Sequence, residues 1–154
     1  MSPQPKLKSA TPRFPKCDAR LLGTWKSDAK RTLREWAWKK GLSAKLQSQL
    51  RSMFGKCEVT YTRTRVVTSL RHRKWKSSQR YAVLGMDEKS VVIIRYGELE
   101  VEHEHGYDAG LLEVAKAMYA EPQLEHLHFC NQHYWISLGK NREFFRKIRG
   151  AGER

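Results

Sequence analysis

Several groups of side chains in this chain have the type and spacing to do chemistry. Tyr61, Arg63 and Arg65 alternate with Thr60, Thr62 and Thr64 along one extended stretch. Two guanidinium groups beside a phenol, turned inward from a sheet, would form an anion site, because a buried Arg needs a carboxylate or phosphate partner. The alternative turns Thr60, Thr62, Thr64 and Val66 inward and leaves both arginines in solvent, in keeping with how rarely Arg is buried unpaired. Histidines supply a second group. His103 and His105 share a face with Leu99 and Val101, opposite Glu100, Glu102 and Glu104, so alternation points them inward. His126, His128 and Cys130 stand at i, i+2, i+4 of another strand and carry the donors of a zinc or haem site. Leu127 and Phe129 have the better claim to the core, which turns that trio outward; no metal and no cofactor is assigned.

The third group is the run "RTRVVTSLRHRKWKSSQR", with seven Lys/Arg and no acid. Arg71, Arg73, Lys74, Trp75, Lys76 and Arg80 within it suit phosphate contacts with a Trp for base stacking. No helix-turn-helix, RRM or zinc-finger pattern accompanies them, so such binding would be electrostatic and salt-sensitive. Catalytic signatures are missing: there is no GxSxG, P-loop, Rossmann glycine pattern or HExxH. A binder is expected rather than an enzyme.

Charge distribution sharpens the question of partners. The net charge is +14, built from 21 Lys/Arg against 4 Asp/Glu in residues 1–80 and 9 against 12 in residues 81–154. Such one-sidedness speaks for anionic partners and says nothing about fold. With 154 residues, 40% hydrophobic residues and five Trp, the chain can bury a core of its own. No run approaches a membrane span and no apolar leader opens the chain, and three cysteines without paired spacing fit a reducing compartment, so a cytoplasmic location is expected. Residues 1–20, basic at Lys6, Lys8, Arg13 and Lys16 and interrupted by four prolines, read as a flexible arm; residues 21–154 read as one domain.

The elements that must position these groups follow from periodicity. Leu21 to Lys30 is a first strand. Arg31 to Lys40 and a segment capped by Ser43 and stopped by Gly55 are helices. "CEVTYTRTRVVTSLR" alternates as one long strand; strands around Tyr81–Leu84, "SVVIIRY" and "LEVEHEH" follow. A third helix begins at Asp108 and ends before Pro122. A hairpin about Asn131-Gln132 and a short "REFFRKI" segment complete the chain. The pattern predicts a mainly β protein of the α+β kind: a single antiparallel up-and-down barrel of about seven to eight strands, with two short helices after strand one and one helix before the last hairpin.

Gly23-Thr24-Trp25 in the first strand, the helical pair after it, the meander and the basic C-terminal segment together resemble the calycin superfamily, the lipocalin-like and fatty-acid-binding-protein-like barrels, and among them the bacterial lipocalin-like families without an assigned ligand. The resemblance implies that Trp25 closes one barrel end beneath a C-terminal Arg, matched here by Arg142 or Arg146. It also implies a non-catalytic binder of a small anionic or amphipathic ligand, with Trp25, Trp36, Tyr61, Arg63, Arg65 and His103 as contacts. The alternatives are nucleic-acid or polyanion binding through residues 63–80, and a filled barrel serving as a scaffold for protein contacts.

Overall fold

A computed structural model describes residues 17–38, 40–103 and 109–152. The strands are β1 (Gly23–Ser27), β2 (Cys57–Tyr61), β3 (Arg65–Leu70), β4 (Trp75–Met86), β5 (Ser90–His103), β6 (Gln123–Cys130), β7 (His133–Leu138) and β8 (Asn141–Arg149). Each pairs antiparallel with the next, and β8 returns to β1, so the sheet closes as an eight-stranded barrel with no free edge. Helices α1 (Ala29–Arg34) and α2 (Ala44–Met53) lie between β1 and β2, and α3 (Ala109–Met118) lies between β5 and β6. Asp28 caps α1 by accepting from the Arg31 amide, and Ser43 caps α2 at Leu46.

The predicted strand from Cys57 onward is instead two. Thr62 breaks it: its hydroxyl accepts from the amides of Thr64 and Arg65, folding residues 62–64 into a turn. That turn resets the alternation. Val59 and Tyr61 point inward on β2, and the register Tyr61↔Val66 then makes Val66 and Thr68 the inward residues of β3. Conversely, "SVVIIRY" and the described part of "LEVEHEH", Leu99 to His103, are one strand, β5, interrupted at Gly97, whose φ of 79° accommodates a register shift against β4. The last segment is a full strand because it must pair with β1 to close the barrel.

Gly23 has a structural reason to be glycine. Its φ is 125°, and a Cβ there would run into the Arg149 carbonyl oxygen, so only glycine lets β1 and β8 meet at this corner. Residues 17–20, read above as part of the arm, pack against the same end. The Arg20 guanidinium grips the Asp18 carboxylate at 2.7 Å and donates to the Glu88 carbonyl oxygen at 2.8 Å, while Asp18 itself is 2% exposed. This plug seals one end of the barrel. The helices sit at the other.

Candidate functional site

Barrel closure sorts the strand residues into an inside and an outside. At the sealed end the inside is full: Leu21, Trp25, Val59, Tyr61, Val66, Tyr81, Val83, Val91, Ile93, Leu127, Tyr134 and Phe145 form one buried cluster. Trp25 donates its indole N–H to the Leu21 carbonyl oxygen at 2.8 Å and meets Tyr134 edge-on at 4.7 Å between ring centroids. The cation over Trp25 is neither Arg142 nor Arg146. It is Lys147, the register partner of Trp25, with Nζ 5.3 Å from the ring centroid. Arg142 lies over Trp135 on the outer face at 4.1 Å, and Arg146 points into solvent.

Above this cluster the interior turns polar. Arg95 is 8% exposed and follows Val91 and Ile93 in the inward phase of β5. Its Nε lies 2.8 Å from Glu125 Oε1, yet off the N–H axis, so the contact is an ion pair without an aligned hydrogen bond at Nε. Burial is the largest influence and works against the Arg95 charge, but the Glu125 carboxylate together with Tyr61, Tyr119 and Tyr134 outweighs it and holds the guanidinium above its ordinary pKa. The hydroxyls of Tyr61 and Tyr134 stand 3.3 Å apart beside it. Burial raises the pKa of both, and Arg95 offsets the Tyr61 shift only in part. Gln79, 1% exposed, donates to the Gly97 carbonyl oxygen at 3.0 Å and leaves its own Oε1 without a partner. A buried acceptor and a buried donor, on adjacent strands, are therefore both unmet.

Toward the helical end, Trp75, Ser77, Gln79 and Leu99 on β4 and β5 stay buried, while inward positions on the other strands keep solvent contact. Cys57, Thr68, Glu125, Ile136 and Glu143 are only half-buried, although their strand phase points them into the barrel. Glu143 accepts from the Ser27 hydroxyl at 3.0 Å; burial raises its pKa and this hydrogen bond only partly opposes the shift. Burial pushes the Cys57 thiol up to about 12, with the Glu143 charge adding to the effect.

The expected ligand contacts are scattered by this geometry. Tyr61 lines the polar cluster, and Trp25 lies in the packed floor below it. Trp36 sits outside the strands, 5.0 Å from Phe54, lining a surface groove of about 530 Å³ with Trp38 and Leu50. Arg63 is exposed in the β2–β3 turn. Arg65 points outward, with Nε 2.6 Å from the Ser78 hydroxyl and NH2 3.1 Å from Glu100. Neither arginine shares the face of Tyr61, because the turn at Thr62 flips the phase. The side chain of His103 and the whole of His105 lie outside the described residues.

In the basic run, Arg71, Lys74, Lys76 and Arg80 are exposed, whereas Trp75 faces inward and is 7% exposed, so it offers no ring for base stacking. The side chain of Arg73 lies outside the described residues. His126, His128 and Cys130 are on the outer face, where His128 stacks on Trp135 at 3.8 Å. Among the described residues no group of three His, Cys, Asp or Glu could hold a metal ion, and no helix is long and apolar enough to cross a membrane. The Arg95–Glu125 pair was missed in the sequence, although the alternation Val91, Ile93, Arg95 carries the signal for it. Comparison with protein-family models, curated proteins and solved structures gave no match to this chain.

Proposed function

We propose that the protein is a non-catalytic, calycin-like binding protein that takes a small amphipathic ligand, anionic at its polar end, into the open half of the barrel. One observation carries this reading: a buried guanidinium, paired off-axis with a single carboxylate, stands beside two phenols beneath a mouth whose inward residues still touch solvent. Arg has five N–H donors, and a ligand carboxylate or phosphate can take those that Glu125 leaves while its apolar part lies against Ile93, Ile136 and Tyr134. The raised pKa values of Cys57, Tyr61 and Tyr134 favour binding over nucleophilic chemistry, because each group stays protonated at neutral pH. Three free thiols support a reducing, cytoplasmic setting.

Native mass spectrometry of the protein from its host, in low and then high salt, tests the proposal. A discrete small adduct should survive high salt and disappear in the double variant Arg95→Met/Glu125→Gln, which removes both charges together. Retention of the adduct in that variant would move the site elsewhere. Nucleic acid that co-purifies and is stripped by salt would favour the exposed cations of residues 63–80 instead, since counterion release makes such binding fall steeply with salt. A bare mass in every condition would leave the filled scaffold as the better reading.

A further inference from the structure

The outer wall of the barrel has two basic faces, and they are not equivalent. On β3 and β4 two of the cations are answered by glutamates on β5: Arg65, which stands opposite Arg80, contacts Glu100 at 3.1 Å, and Lys76 stands directly opposite Glu102. On β1 and β8 they are not. Lys26 and Arg146 are exposed and directly opposite each other across the β1–β8 pair, where Cβ atoms are about 4.5–5.5 Å apart and like charges destabilise the sheet. The carboxylate opposite Lys26 on its other side, Glu58, is already flanked by Arg71 at 3.6 Å and Arg149 at 3.7 Å.

Lys26, Arg146 and Lys30 line one recess of about 300 Å³ with Ser27, Asp28 and Ala29. Among the described residues none of these three cations has an ion pair. Asp28 is the acid of the recess, and both of its oxygens are engaged: Oδ1 accepts from the Arg31 amide at 3.0 Å, and Oδ2 lies 2.9 Å from His133 Nε2. The recess therefore keeps an excess of two positive charges, concentrated where the sheet alone would disfavour them.

We propose that this recess on the β1–β8 face binds a phosphate group through Lys26, Lys30 and Arg146. An anion there relieves the like-charge contact and gives each cation its missing partner. No aromatic ring lines the recess, so recognition is of phosphate and not of a base or other planar group. The site is separate from the barrel interior and stands whether or not a ligand enters there.

The test is an amide-resolved NMR titration of the full chain with inorganic phosphate, against chloride at equal ionic strength. The expected result is saturable shifts centred on Lys26, Ala29, Lys30 and Arg146, weakened roughly tenfold or more by Lys26→Glu or Arg146→Glu and unchanged by Lys76→Glu, whose lysine stands opposite Glu102 on the other face. Both recess substitutions are at exposed outward positions; should either fail to fold, Lys30→Gln on the exposed side of α1 asks the same question. Equal shifts in phosphate and chloride, or binding that survives both charge reversals, overturn the proposal. A thymidine oligonucleotide then separates the sources. If it moves the same amides and inorganic phosphate displaces it, the group belongs to a nucleic-acid backbone; if it leaves them unmoved while phosphate binds, the source is a free phosphorylated small molecule.

Discussion

The two halves of the barrel interior are built from the same strands and do different work. In the sealed half, Trp25, Tyr61, Tyr134 and Phe145 interlock with Leu21, Val91 and Leu127, all at 5% exposure or less. In the open half the same strands turn to Cys57, Thr68, Arg95, Glu125, Ile136 and Glu143, and all of these but Arg95 keep contact with solvent. Strand pairing makes the barrel in both halves, so the difference lies in side chains alone. One half stores the stability. The other is packed mainly along β4 and β5, at Trp75 and Leu99, and holds the polar groups that the proposed ligand would use.

The largest test of this division is at its floor. Trp25→Ala removes a buried ring that touches Tyr134 and Lys147 and hydrogen-bonds Leu21, and should cost about 3–5 kcal/mol in denaturant unfolding. Substitution of Ile136 by Ala, in the open half, should cost clearly less because water can already reach that site. Equal losses would mean that the barrel is packed alike from end to end. Gly23→Ala tests closure itself: the strained φ and the collision with the Arg149 carbonyl oxygen should lower stability by about 1–3 kcal/mol, with exchange protection lost first along β1 and β8.

The polar layer between the halves gives the next effect. Glu125→Gln leaves Arg95 buried without its carboxylate, and should destabilise by about 1–3 kcal/mol, below the full cost of breaking a buried pair because Glu125 is 26% exposed. Replacing both, as Arg95→Met/Glu125→Gln, should recover much of that loss. Urea unfolding of the three variants forms a cycle that measures the coupling. If the double variant is no more stable than the single, the pair is part of the structural floor and not a removable binding element.

The sequence shows the barrel more plainly than it shows the site. Strand order, the helical pair and the hairpin at Asn131 are all readable from periodicity and turn residues, since each is a local preference. The phase of an inward face is harder. One hydroxyl, that of Thr62, separates a long strand carrying Arg63 and Arg65 inward from a hairpin that puts neither there. Arg95 hides in a run that looks uniformly apolar, and Trp75 sits in a run that looks uniformly solvated, though alternation places both inside. The recess on the β1–β8 face has no local signal at all. Lys26 and Arg146 meet because the barrel closes, and no spacing along the chain announces it.

The smallest effect bears on how wet the open half is. Glu143 is an acid whose folded pKa lies above its ordinary value of 4.5, so the folded state binds its proton more tightly than the unfolded chain does. Below that ordinary value both states are protonated and there is no penalty. As pH rises from there through the folded pKa, the unfolded state ionises first, and wild-type stability falls. Asp28 and Asp87 act in the opposite sense: their folded pKa values are lowered, and their contribution is lost as pH drops below the ordinary value of 3.8. Both aspartates are present in Glu143→Gln, so they cancel in the difference between variant and wild type. That difference should grow in favour of the variant from about pH 4.5 upward, as measured by urea unfolding at a series of pH values. A flat difference would mean that Glu143 ionises as it does in water. The open half would then be hydrated down to the level of Ser27, and the dry polar groups of the interior would be confined to the β4–β5 wall, at Gln79 and Arg95.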